Sequence, residues 1–98
     1  FGDLLLTFLL DEHTKYIVDY DLNSPGQKYS ELIETISRFD CVKICKSSWA
    51  INAPISAAEI RGFLSKYLDS GDRLIVCEIT DWASWNLPKA VTDWLNLP

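Results

Sequence analysis

Asp19 and Asp21 are the residues of this chain best placed to do chemistry. They lie two apart in "KYIVDYDLNSPG", Lys15 to Gly26, and a strand alternates its side chains, so both carboxylates fall on one face. Two carboxylates so placed raise the question of a metal site, since oxygen donors suit a hard cation. The same residues also have a plain structural role. Aspartate favours the turn at a strand end because its carboxylate accepts backbone N–H groups. A solvated or cross-strand-paired Asp19 would likewise escape the cost of burying an unpaired charge.

The other reactive side chains offer less. His13 is the single histidine, and one imidazole alone makes no site. Cys41, Cys45 and Cys77 show no C-x-x-C spacing, so with one histidine a zinc site lacks ligands. Cys41 and Cys45 are four residues apart along an extended chain, too far for a disulfide between neighbours. Small core residues and reduced thiols in a cytoplasm are expected. The net charge of −5 and pI near 4.6 disfavour a bare nucleic-acid surface, which needs clustered Lys and Arg. Trp82, Trp85 and Trp94 lack interleaved basic residues and read as anchors of a C-terminal tail. Trp49 reads as core or interface.

The elements that must position these residues follow from periodicity. At 98 residues and 48% hydrophobic, the chain fits one domain with a modest core. Residues 1–14 hold the apolar run Leu4–Leu10, interrupted by Thr7, which is far short of the roughly 20 residues that span a bilayer. Its flanks are not those of a signal peptide, and it is expected to form an edge element or an intermolecular contact. Tyr16–Leu22 reads as a strand. Ser24, Pro25 and Gln27 form a helix start, with Tyr29, Leu32, Ile33 and Ile36 as the buried stripe. "CVKICKS" and "SWAINA" read as two strands. "SAAE", Ser56 to Glu59, is a second capping box, followed by the stripe Ile60, Phe63, Leu64 and Tyr67 and closed by Gly71. Arg73–Thr80 is a last strand.

Strand, helix, strand, strand, helix, strand is the α+β order βαββαβ of the ferredoxin-like fold: two helices on one face of a four-stranded antiparallel sheet. Residues 15–80 are assigned to this domain and 81–98 to a Trp-rich tail packing on the domain or its partner. The last strand is apolar both ways, with Leu74 and Val76 on one side and Ile75, Cys77 and Ile79 on the other. A one-layer sheet facing water alternates apolar with polar. The open face is therefore expected to meet a second copy, the N-terminal run or the tail. As a dimer interface it would bury Ile17, Ile75, Cys77 and Ile79.

"YIVDYDL", "KSSWAINA" and "SAAEIRGFLSKYLDSGDRLIVCEI", with their spacing, resemble the small CRISPR-associated protein of the spacer-acquisition pair, Cas-two. They are closer still to bacterial and phage proteins labelled SinR-like, which the tail "ASWNLPKAVTDWL" also resembles. The resemblance spans Lys15 to Thr80 and implies a ferredoxin-like homodimer with open sheet faces toward one another. It implies metal-dependent cleavage of RNA or DNA, a scaffold role on DNA, or, as in VapD-type toxins, RNA cleavage. By position, Tyr20-Asp21 matches the family's Tyr-Asp, whose aspartate is a magnesium ligand, and Ser48 falls near a serine of the third strand. A two-fold axis would bring Asp21 of both copies to one Mg²⁺, with Asp19 on the same face. The family's basic cluster at the first helix is reduced here to Lys28. The acidic charge and apolar surface suggest a second function: a non-enzymatic dimeric protein–protein interaction module.

Overall fold

A computed structural model of the chain describes residues 13–23 and 29–98. Within them run β1 (Thr14–Asp21), α1 (Tyr29–Ser37), β2 (Asp40–Cys45), β3 (Ser48–Ala53), α2 (Ala57–Ser65), β4 (Arg73–Glu78) and α3 (Lys89–Leu95). The chain is α+β, with an open antiparallel sheet in the order β2-β3-β1-β4. The helix at residues 89–95 exceeds the two expected. The apolar run Leu4–Leu10 and the first helix start at Ser24, Pro25 and Gln27 lie outside the described residues.

β1 organises the molecule because it pairs with β3 on one side and β4 on the other. Its alternation sends Tyr16, Val18 and Tyr20 to one face, where they are buried with Ile51 and Ala53 of β3. Leu32 and Ile36 of α1 and Ile60 and Leu64 of α2 close this core, all without exposure to solvent. Helical spacing of three and four residues is what puts each pair on one side. Ser56 and Glu59 complete the second capping box, Ser56 Oγ accepting from Glu59 N–H and Glu59 Oε1 from Ser56 N–H, both at 3.1 Å.

Two expectations for this helix are corrected. Phe63 is 51% exposed, because Ile60 and Leu64 already define the buried direction and residue 63 falls to its side. Gly71 does not end α2, whose last residue is Ser65 with Lys66 as C-cap. A Cβ at Gly71 would stand 3.0 Å from the Asn23 side chain, so glycine there permits close approach of two loops. Asp72 fastens the same corner, accepting from Asn23 N–H at 2.9 Å and Asp69 N–H at 2.8 Å. Between β2 and β3 the register shifts at Lys43/Cys45, and the chain reverses at Lys46 and Ser47 without an Asn-Gly pair.

The second face of the sheet is occupied in part by α3. Val91 and Leu95 bury against Ala50, with Ile17, Val42, Ile44 and Ile79 packed around them. Lys15, on the same face of β1, donates Nζ–H bonds to the carbonyls of Trp94 at 3.3 Å, Leu95 at 2.9 Å and Leu97. These carbonyls lie at and just past the C-terminal end of α3, with that of Trp94 also accepting from Leu97 N–H at 3.1 Å, and a cation is the favoured partner at that pole. Trp94 adds its ring 5.2 Å from Lys15 Nζ and its Nε1–H bond to Asp40 Oδ1 at 3.1 Å. Trp94 thus anchors the tail. Trp85 is 92% exposed and does not, because it sits in the loop before the helix begins.

Ile36→Ala is expected to cost about 2–5 kcal/mol in a denaturant titration, since it empties a fully enclosed site. Lys15→Met should act locally: hydrogen exchange should accelerate across Val91–Leu95 while the α1/α2 core keeps its protection.

Candidate functional site: the carboxylate strip of β1

On the face away from α1 and α2, β1 presents Lys15, Ile17, Asp19 and Asp21 in a row. The first two lie beneath α3 and the last two are exposed. Asp19 is flanked by Ser48 of β3 and Ile75 of β4, and Asp21 by Arg73 of β4. Ser48 Oγ–H donates to Asp19 Oδ1 at 2.6 Å, a short bond of the kind a charged acceptor makes. No hydrogen bond or ion pair reaches the Asp21 carboxylate among the described residues. Asp19, Tyr20, Asp21, Arg73, Leu74 and Ile75 line a shallow groove of about 270 Å³. The arrangement offers hard oxygen donors beside a guanidinium, on an open surface.

The two members of the Tyr-Asp pair point apart. Tyr20 enters the core, its ring edge-on to Tyr29 at 6.4 Å and its hydroxyl accepting from Trp49 Nε1–H at 3.4 Å. Burial pushes its phenol up from 10.0 to about 12, against the smaller opposing effect of the Trp49 bond. Tyr20 therefore stays neutral and holds β1 in register, and Asp21 alone faces solvent. Trp49 is partly buried in the same core.

Among the described residues, no group of three or more His, Cys, Asp and Glu is placed to hold a metal ion. One copy thus offers Asp19 and Asp21 as half a ligand set, a fit only for a cation that keeps its waters or gains carboxylates from a second copy. His13 is exposed directly ahead of β1, at the opposite end of the strand from Asp21. The thiols are free. Cys41 is half-buried against the core, and burial followed by the Asp40 charge raises its pKa. Cys45 and Cys77 are exposed rather than core residues, because both occupy the part of the open face that α3 leaves bare.

The four residues assigned to an interface divide. Ile17 and Ile79 pack in the α3 cluster and line, with Ile44, Trp82, Leu87 and Leu95, a second cavity of about 420 Å³. Ile75 is 56% exposed, and Cys77 is exposed beside it. Two neighbours of the strip escaped residue-type reasoning: the Ser48 bond to Asp19 and Arg73 opposite Asp21. Both are set by cross-strand register, which no local pattern carries. Comparison of the chain with protein-family models, with curated proteins and with solved structures finds no match.

Raised above its unfolded value, the Tyr20 pKa gives a stability contribution that is full below about pH 10 and lost as pH rises toward about 12. Tyr20→Phe should flatten that alkaline decline in thermal melts recorded across the window, while leaving the neutral-pH fold in place.

Proposed function

We propose that the chain is a ferredoxin-like homodimer of the Cas-two-like kind, with its third helix as an addition on the open face. In this reading Asp21, with Asp19, supplies carboxylates to Mg²⁺ from both copies, and the protein handles nucleic acid in a cytoplasm, as a metal-dependent nuclease or as a scaffold. The observation that carries it is the pair of exposed carboxylates on one face of β1, flanked by Ser48, in a groove with Arg73. Bound there, the ion would supply charge to polarise a phosphate and activate water. Ser48 would hold the Asp19 carboxylate in place, and Arg73 would meet an anionic oxygen.

A specific observation favours a second reading, a dimeric interaction module without catalysis. Ile75 and Cys77 form a bare apolar step on a chain of net charge −5, and like charge repels nucleic acid. Asp21→Asn separates the two. The carboxylate is outside every hydrogen bond described above, so the fold should persist. Under the first reading, Mg²⁺-dependent cleavage or Mg²⁺ uptake by calorimetry is expected in wild type and lost in the variant. Absence of both activities in wild type across a metal series leaves the interaction module. In either reading Ile75→Asp should give a monomer by sedimentation, since an unpaired charge in an apolar contact costs several kcal/mol.

A further inference from the structure

α3 is too small for the surface it covers. Its buried residues are Val91 and Leu95, while the sheet beneath offers Ile17, Val42, Ile44 and Ala50, with Ile79 just past β4. The space left over is the cavity of about 420 Å³, a size within the roughly 300–1,000 Å³ of small-molecule sites. Ile17, Ile44 and Ile79 form its floor, and Trp82, Leu87 and Leu95 its cover. Trp82 is 37% exposed, so part of its ring is open to a ligand. The charged residues of the lining, Glu78 and Asp81, are both acidic and exposed, and no Lys or Arg lines the cavity among the described residues. Neither carboxylate is in an ion pair among those residues. Lys15, on the same face of β1 as Ile17, turns its ammonium to the α3 carbonyls instead.

We propose that this cavity takes a small organic cation with an apolar body, an alkyl- or arylalkylamine in its protonated form. Floor and cover bury the body, which is favoured in proportion to the apolar area removed from water. The ammonium stays at the mouth, where Glu78 and Asp81 supply negative charge and Ser84 a hydroxyl acceptor. The Trp82 indole at the rim adds attraction, because an aromatic face favours a cation. A fatty acid or a phosphate ester would bring like charge to the same mouth and be repelled. The net charge of −5 attracts cations to the chain in general, and this cavity is where that charge borders a covered apolar space. The inference goes beyond the reading above and needs neither metal nor a second copy.

Titration of the whole chain with n-hexylamine, n-hexanol and hexanoate at neutral pH, followed by amide and indole N–H shifts in NMR spectra, tests it. Saturable shifts at Ile17, Ile44, Ile79, Leu95 and the Trp82 indole are expected with hexylamine, weaker ones with hexanol and none with hexanoate. Glu78→Gln together with Asp81→Asn should weaken hexylamine roughly two- to tenfold, the scale of two exposed ion pairs, and leave hexanol unchanged. Both positions are exposed, so circular dichroism should not change. Hexanol or hexanoate bound as tightly as hexylamine overturns the cation, and shifts centred on Ile75 and Cys77 overturn the site. Residues 1–12 are present throughout, so a cavity already filled by that segment shows as no uptake of any probe, and that outcome overturns the proposal. None of these readouts involves Mg²⁺, cleavage or sedimentation, so the homodimer and its carboxylates stand or fall separately.

Discussion

Everything in this molecule depends on the alternation of β1. The strand is central, bonded to β3 and β4 at once, so its register fixes theirs. Tyr16, Val18 and Tyr20 supply its contribution to the core, and Lys15, Ile17, Asp19 and Asp21 supply the other face. A slip of one residue would carry two carboxylates and an ammonium into an apolar core and expel two phenols and a valine from it. That penalty is far larger than any single interaction on the surface, and it is why the position of Asp21 is well defined although no side chain holds it. The Tyr16 hydroxyl reinforces the register by donating to the Ile55 carbonyl at 2.8 Å, which ties β1 to the entry of α2.

The same alternation creates a difficulty that α3 answers in part. Ile17, Val42, Ile44 and Ala50 leave an apolar field on the second face. A helix as short as Lys89–Leu95 has little stability of its own in water, so it is held by what it covers and by its end contacts. Lys15 serves both ends of that requirement: its charge meets the carbonyls of Trp94 and Leu95, and its ammonium lies near the Trp94 ring. The loop that leads into the helix turns at Asn86, whose φ of 61° is tolerated by asparagine better than by most residues. The cover stops short of β4, and Ile75 and Cys77 stay bare.

How much of this was legible beforehand depended on whether the information was local. The strands expected at Tyr16–Leu22 and Arg73–Thr80 run Thr14–Asp21 and Arg73–Glu78, and the stripe Leu32/Ile36 and the box Ser56/Glu59 are where their patterns put them, all four being carried by neighbours in the chain. Phe63 misled because Ile60 and Leu64 already set the buried direction of the helix, and residue 63 falls beside it. Gly71 misled because glycine serves loop packing as well as helix ends. The helix in the tail was missed because "KAVTDWL" is short and opens at Pro88 with no side-chain cap. At the candidate site, local pattern gave the shared face of Asp19 and Asp21. It could not give Arg73 opposite Asp21, which is a fact of pairing across some fifty positions of chain.

What the strip can do follows from what surrounds it. Two carboxylates on a surface are poor cation ligands by themselves, because water competes for the ion and screens the attraction. They improve when more oxygen donors converge and solvent is reduced. Within one copy the flanking residues are Ser48, which is already committed to Asp19, and Arg73, whose charge opposes a cation next to Asp21. The guanidinium would have to turn toward an anion for a metal to settle beside it. The groove is therefore better balanced for a cation and an anionic oxygen together than for a cation alone. A phosphate ester presents that combination, and so does a carboxylate-bearing protein surface bridged by Mg²⁺. The choice between them falls to the large-scale field of the chain, and at a net charge of −5 that field favours the partner with fewer phosphates.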